Sequence, residues 1–171
     1  MKRIGVLSDT HGAVPPQVYS FFKDCDELWH AGDLGPSVLD RLRQFKLLHA
    51  VYGNIDDNSL HHELPLVDIF VCEGQKVMLT HIGGWPGHYP APLRQQLQQE
   101  RPDIFVCGHS HILKVMYDNQ YNFLHINPGA AGHYGFHKVS TLVRFTLDPT
   151  PRELEILDFP KTPHRPDSSS I

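Results

Sequence analysis

Seven side chains in this sequence share a chemistry and a setting. They are Asp9 and His11 in "SDTH", Asp33 in "GD", Asn54 in "GN", His81 in "TH", and His109 and His111 in "GHSH". Each follows a short apolar run of strand length, so five strand ends carry oxygen or nitrogen donors. Carboxylate, imidazole and amide oxygen are the donor types that bind divalent cations of intermediate hardness. Residues i and i+2 of an extended chain point the same way, which would let Asp9 and His11 face one ion, and His109 and His111 likewise. Gly32, Gly53 and Gly108 precede ligand positions, where a missing Cβ permits a sharp turn and a close approach. Seven donors exceed one tetrahedral ion and suit two ions sharing a carboxylate. With no thiolate nearby, Mn²⁺ is the first expectation, with Zn²⁺, Fe or Ni²⁺ as alternatives. A lone Gly-Asp turn or a lone histidine after a strand would mean little. The ordered set of five carries the weight.

The elements that must position these residues alternate at first. Strand-like runs at 3–8, 27–31 and 46–52 are separated by helical patterns. One starts at Pro15 and Pro16 and carries Val18, Phe21 and Phe22; the other carries Val38, Leu39, Leu42 and Phe45 after Pro36. Further strands are predicted at 66–72, 76–80 and 103–107, with an exposed helix over 92–100. Strands at 111–118, 122–129, 140–148 and 152–159 follow in quick succession, with "DNQY" as a hairpin turn. The prediction is an α/β (α+β) architecture: two mixed β-sheets packed face to face, flanked by helices. Ligands in open α/β sheets bind at the carboxyl ends of strands, where all seven donors fall. Residues 1–159 are expected to form one domain, and the Pro- and Ser-rich 160–171 a loose C-terminal tail.

Composition narrows the function. The 171 residues contain 40% hydrophobic and 20% charged side chains, with 15 Lys and Arg against 19 Asp and Glu. A net charge of −4 provides no basic field for duplex nucleic acid. No apolar run approaches a membrane span. Asp9 interrupts the first apolar run too early for a secretion signal. Cys25, Cys72 and Cys107 are widely spaced and odd in number, which reads as buried free thiols in a reducing, cytoplasmic setting.

The motifs "DTH", "GD", "GN", "TH" and "GHSH", in that order, resemble the calcineurin-like metallophosphoesterase superfamily. The short chain and "INPG" (126–129) are most similar to its small single-domain phosphodiesterase branch. The resemblance spans about residues 4–131 and implies a metallophosphoesterase-like β-sandwich with a dinuclear metal site. On that basis Asp9, His11 and His111 hold a first metal, Asn54, His81 and His109 a second, and Asp33 bridges with one oxygen to each. Asp33, Asn54 and His81 are then the catalytic expectations, and Asn54 and His109 meet the substrate. Two divalent ions offset by Asp9 and Asp33 leave a positive centre that attracts a phosphate ester and generates hydroxide near neutral pH. The expected partner is a small phosphate ester, a nucleotide among the options.

One departure matters. Many relatives have histidine after the Gly-Asn pair, whereas this chain reads "GNID". Ile55 cannot protonate a leaving group, so diesters with stable leaving groups are favoured. His61, His62, His133 and His137 are conceivable substitute acids, more simply exposed loop histidines. Trp85, His88 and Tyr89 could shape a pocket or pack down on the sheet. Rival readings are a phosphomonoesterase, a nuclease, and a non-catalytic scaffold of the kind found in the retromer complex.

Overall fold

A computed structural model describes residues 1–161 of the chain. The ten strands fall where the apolar runs lie: β1 (Lys2–Leu7), β2 (Glu27–His30), β3 (Leu47–Ala50), β4 (Val67–Cys72), β5 (Gln75–Thr80), β6 (Ile104–Val106), β7 (Leu113–Asp118), β8 (Phe123–Pro128), β9 (Val139–Leu147) and β10 (Pro151–Pro160). They form two five-stranded mixed sheets, ordered β10-β9-β1-β2-β3 and β4-β5-β6-β8-β7. The first sheet is parallel over β1–β2–β3 and antiparallel where β9 and β10 join it. In the second sheet β5, β6 and β8 run parallel, with β4 and β7 antiparallel at its edges.

Four helices connect the strands: α1 (Pro16–Phe21), α2 (Val38–Phe45), α3 (Asn58–Glu63) and α4 (Ala91–Glu100). Pro16 opens α1, where its fixed φ suits a first turn and its missing N–H costs nothing. α2 buries Val38, Leu39 and Leu42, the stripe its spacing predicts. α3 is an addition to the predicted elements. It buries none of its own residues and is held at its start by the Asp57 side chain, which accepts from Leu60 N–H at 3.1 Å.

Three apolar clusters define the layers. Ile4, Trp29, Val77, Val106, Ile126 and Phe145 belong to one between the sheets. Val18, Phe22, Val38 and Leu42 pack the first two helices onto the outer face of the first sheet. Leu93 and Leu97 of α4 pack with Met78, Phe105 and Phe123 on the outer face of the second. The architecture is therefore the predicted one, helices outside a two-sheet sandwich. β10 runs through Pro160, and Lys161 N–H donates to the Lys138 carbonyl. The rest of the expected tail, residues 162–171, lies outside the described residues. No helix among the described residues is long and apolar enough to cross a membrane.

Candidate metal centre

All seven donor residues sit in loops just past strand ends on one edge of the sandwich. Asp9 and His11 follow β1, Asp33 follows β2, Asn54 follows β3, His81 follows β5, and His109 and His111 follow β6. The reason for their convergence is not the extended i, i+2 geometry expected from the sequence. Asp9, His11, Asp33, His109 and His111 all adopt left-handed backbone, with φ of 55°, 47°, 55°, 68° and 59°. Each of these turns costs free energy for a non-glycine residue and persists only where surrounding contacts impose it. Five in one cluster mark a site whose geometry the rest of the fold maintains. The close approaches foreseen at glycine hold: a Cβ at Gly53 would overlap Asp33 Oδ1, and one at Gly108 would overlap Ser8 Oγ.

Asp9 is fully buried and its two oxygens differ. Oδ2 accepts from Ser8 Oγ–H at 2.6 Å and from His109 N–H at 3.1 Å. Oδ1 has no hydrogen-bond partner. Although His111 Nε2 lies 3.1 Å and His11 Nε2 3.9 Å away, neither makes a hydrogen bond to it. The two Nε2 atoms are 3.4 Å from each other. One carboxylate oxygen and two ring nitrogens thus lie close together. Burial lowers the pKa of His11, against the pull of Asp33 and Asp9, which favours the neutral ring that a cation requires.

A second group surrounds His81, which is almost fully buried. Its Nδ1–H donates to the Ala31 carbonyl at 2.7 Å, which fixes the tautomer. Nε2 then faces two acceptors, Asn54 Oδ1 at 3.0 Å and Asp33 Oδ2 at 3.3 Å. Burial disfavours a charged His81, but Asp33 and Asp9 outweigh it and hold its pKa above the ordinary value. The pKa of Asp33 moves the opposite way: burial raises it, and His81 with the Ile55 N–H brings it below the usual range. A bound cation would replace the His81 proton, satisfying all three acceptors at once.

Among the described residues, two groups have ligand atoms within 4.8 Å of one another, Asp9–His11–His111 and Asp9–Asp33–His81. The orphaned Asp9 Oδ1 and the acceptor-lined Nε2 of His81 fit divalent cations. Asn54 reaches the second group through His81. His109 belongs to neither group; its ring lies edge-on to that of His81, with centroids 5.2 Å apart. Asp33 Oδ1 accepts from Ile55 N–H at 3.0 Å, whereas Oδ2 lies 3.9 Å from His11 Nε2 and 3.3 Å from His81 Nε2. One oxygen, rather than one each, faces both histidines.

Several side chains beyond the seven donors support the site. The Asp56 carboxylate, 6% exposed, accepts from Leu34, Gly35 and Gly53 N–H at 3.1, 2.8 and 2.8 Å. It clamps the Asp33 loop to the Asn54 loop. Asn127 Nδ2–H donates to the Gly108 carbonyl at 2.9 Å and to Ser110 Oγ at 3.0 Å, bracing the GHSH turn. Lys161, placed with the tail by composition, donates its Nζ–H to the Tyr134 carbonyl, and the Tyr134 ring lies 5.4 Å from that of His11. Burial lowers the Lys161 pKa while Asp9 raises it.

The other loop candidates divide. His61 stacks on Tyr52 at 4.0 Å, and Trp85 lies 5.2 Å from His88. Tyr89 packs into the core, where its hydroxyl donates to Asp118 Oδ2 at 2.7 Å. His62 and His137 are exposed, and His133 is half-buried. The three cysteines are buried and free.

A family model, the calcineurin-like phosphoesterase superfamily domain, matches residues 1–150. This chain belongs to the calcineurin-like phosphoesterase superfamily. A probable metallophosphoesterase of Methanothermobacter thermautotrophicus is 33% identical over 114 residues, 63% of this chain. The match spans 66% of that relative, just under two thirds. Among solved structures, an archaeal phosphodiesterase superposes with a TM-score of 0.73 at 21% identity, covering 92% of this chain and 99% of its own. Vps29 of Entamoeba histolytica, complexed with zinc, does so with a TM-score of 0.65 at 22% identity, covering 91% and 98%. These superpositions establish a shared metallophosphoesterase fold. The family is metal-dependent, in keeping with the donor set assembled here.

Proposed function

We propose that this chain is a metal-dependent phosphodiesterase acting on a small phosphate ester in a cytoplasmic setting. The observation that carries the reading is the buried, unpartnered Asp9 Oδ1 facing His11 and His111. Leaving a carboxylate oxygen desolvated and unpaired costs several kcal/mol, a cost a bound cation removes.

Asp9, His11 and His111 would hold one ion, Asn54, His81 and His109 a second, and Asp33 Oδ2 would be shared. Such a pair supplies Lewis acidity toward the phosphoryl oxygens and acidifies water. The chain's own residues hold that chemistry in place. Ala31 orients His81, Ser8 and His109 N–H turn Asp9, and Asp56 locks the Asp33 and Asn54 loops together. Lys161 adds a cation at the rim, favourable to an approaching phosphate.

Preference for diesters rests on Ile55. Its N–H positions Asp33, and its side chain, 47% exposed, has no proton to give a departing alkoxide. Leaving groups that need no protonation are therefore the ones this site can expel. Metal-stripped protein given Mn²⁺, Zn²⁺, Ni²⁺ or Mg²⁺ singly should hydrolyse bis(4-nitrophenyl) phosphate well ahead of diphenyl phosphate, whose more basic phenolate departs poorly without a proton. Equal rates would overturn the dependence on the leaving group, and no turnover with any metal would overturn catalysis.

One observation favours a second reading, a protein-docking module. Ile55, Ile82 and Ile112 are 47%, 48% and 52% exposed, and each directly follows a donor residue. Apolar side chains around a polar centre could seat a partner. That reading predicts ion binding without turnover.

A further inference from the structure

We propose that the site carries a specificity pocket for a neutral aromatic or heteroaromatic ring on the phosphate ester; this rests on the phosphoesterase reading above. A cavity of about 360 Å³ opens beside Asn54 and His81, two of the donors, so a phosphoryl group there would place one ester substituent inside it. The volume lies within the range of small-molecule sites.

The lining decides the class of group. Leu66, Ile82 and Leu93 supply apolar walls, and no Lys, Arg, Asp or Glu lines the cavity. A substituent with its own charge, such as a further phosphate, would lose its hydration there without a partner. Tyr52 and His61 form part of the wall as a stacked pair, with centroids 4.0 Å apart and planes 27° from parallel. Flat π-faces of this kind favour a ring over a flexible chain. The Thr80 hydroxyl already donates to the Leu66 carbonyl at 3.2 Å. The side chain of Gln96, half-buried on α4, makes no hydrogen bond among the described residues and offers its amide donor and acceptor to a ring edge.

Direct binding tests this without turnover. Phenylphosphonate and methylphosphonate share a phosphoryl head and differ only in the ring. Calorimetric titration into Mn²⁺-loaded protein should give a dissociation constant at least about tenfold lower for phenylphosphonate. Amide resonances of Ile82 and Leu93 should shift with the phenyl compound and not with the methyl one. Filling the cavity by Gln96→Trp, or independently by Leu66→Trp, should bring the affinity ratio towards one. Equal binding of both compounds, or a ratio untouched in both folded variants, would overturn the pocket while leaving the phosphoesterase reading intact. Failure of both compounds to bind the metal-loaded protein would instead overturn the phosphoryl site itself, and the pocket with it.

Discussion

At the residue scale, the identity of each donor was legible and its backbone was not. Asp, Asn and His after strand ends announce metal chemistry in a bare sequence, and the structure brings all seven to one edge. Their left-handed φ values were hidden, because nothing in "SDTH" or "GHSH" distinguishes a strained turn from an extended one. Asp9 belongs to both groups, and Asp33 ties them together, since its Oδ2 lies 3.9 Å from His11 Nε2 and 3.3 Å from His81 Nε2. Asp33→Ala should lower kcat/KM for an activated diester by more than about a hundredfold, beyond the loss typical of residues that only support a ligand. Ile55→His should raise turnover of a diester with a poor leaving group relative to one with a good leaving group by on the order of tenfold or more, because it adds a proton donor at that position. Paired kinetics on bis(4-nitrophenyl) phosphate and diphenyl phosphate would read both effects.

Among the elements, the strands were legible because each is an apolar run bounded by turn formers, and three helices because proline and an apolar stripe mark them. α3 escaped notice: "NSLHHE" buries nothing, and only the capping Asp57 betrays it. Loop supports were equally silent. Asp56 could be read as a leftover of the family's motif, yet its carboxylate satisfies three backbone N–H groups from two loops. Asp56→Ala would strand those donors in a buried place and should cost about 3 kcal/mol of folding stability. A urea midpoint would measure that. Metal affinity should fall in the same variant, because Asp33 and Asn54 would no longer be held in register.

At the scale of the whole molecule, the two-sheet sandwich follows from strand patterning, but its polar interior adds a pH dependence invisible in the sequence. His30 is buried with its Nδ1 accepting from Gly32 N–H at 3.2 Å, and burial pushes its pKa down to about 4 from 6.5. His125 is driven to about 4 chiefly by burial, with Lys114 adding to the effect. Between pH 6.5 and 4 the unfolded chain takes up protons that the folded chain refuses. Stability of the metal-free protein should therefore be full above about pH 6.5 and decline as pH falls towards 4. His125→Phe keeps a ring among Tyr89 and Phe105 and removes one titrating group, so its decline should be shallower over the same window. Thermal unfolding across that range would check the slope.

The proposed function requires that seven side chains from five loops form one metal centre. Its most direct test is a titration of metal-stripped protein with Mn²⁺, counting bound ions per chain in the wild type and in Asp33→Ala. Two ions per wild-type chain and fewer than two in the variant are expected. No stoichiometric binding by the wild type, or the same two ions bound equally well without Asp33, would contradict it.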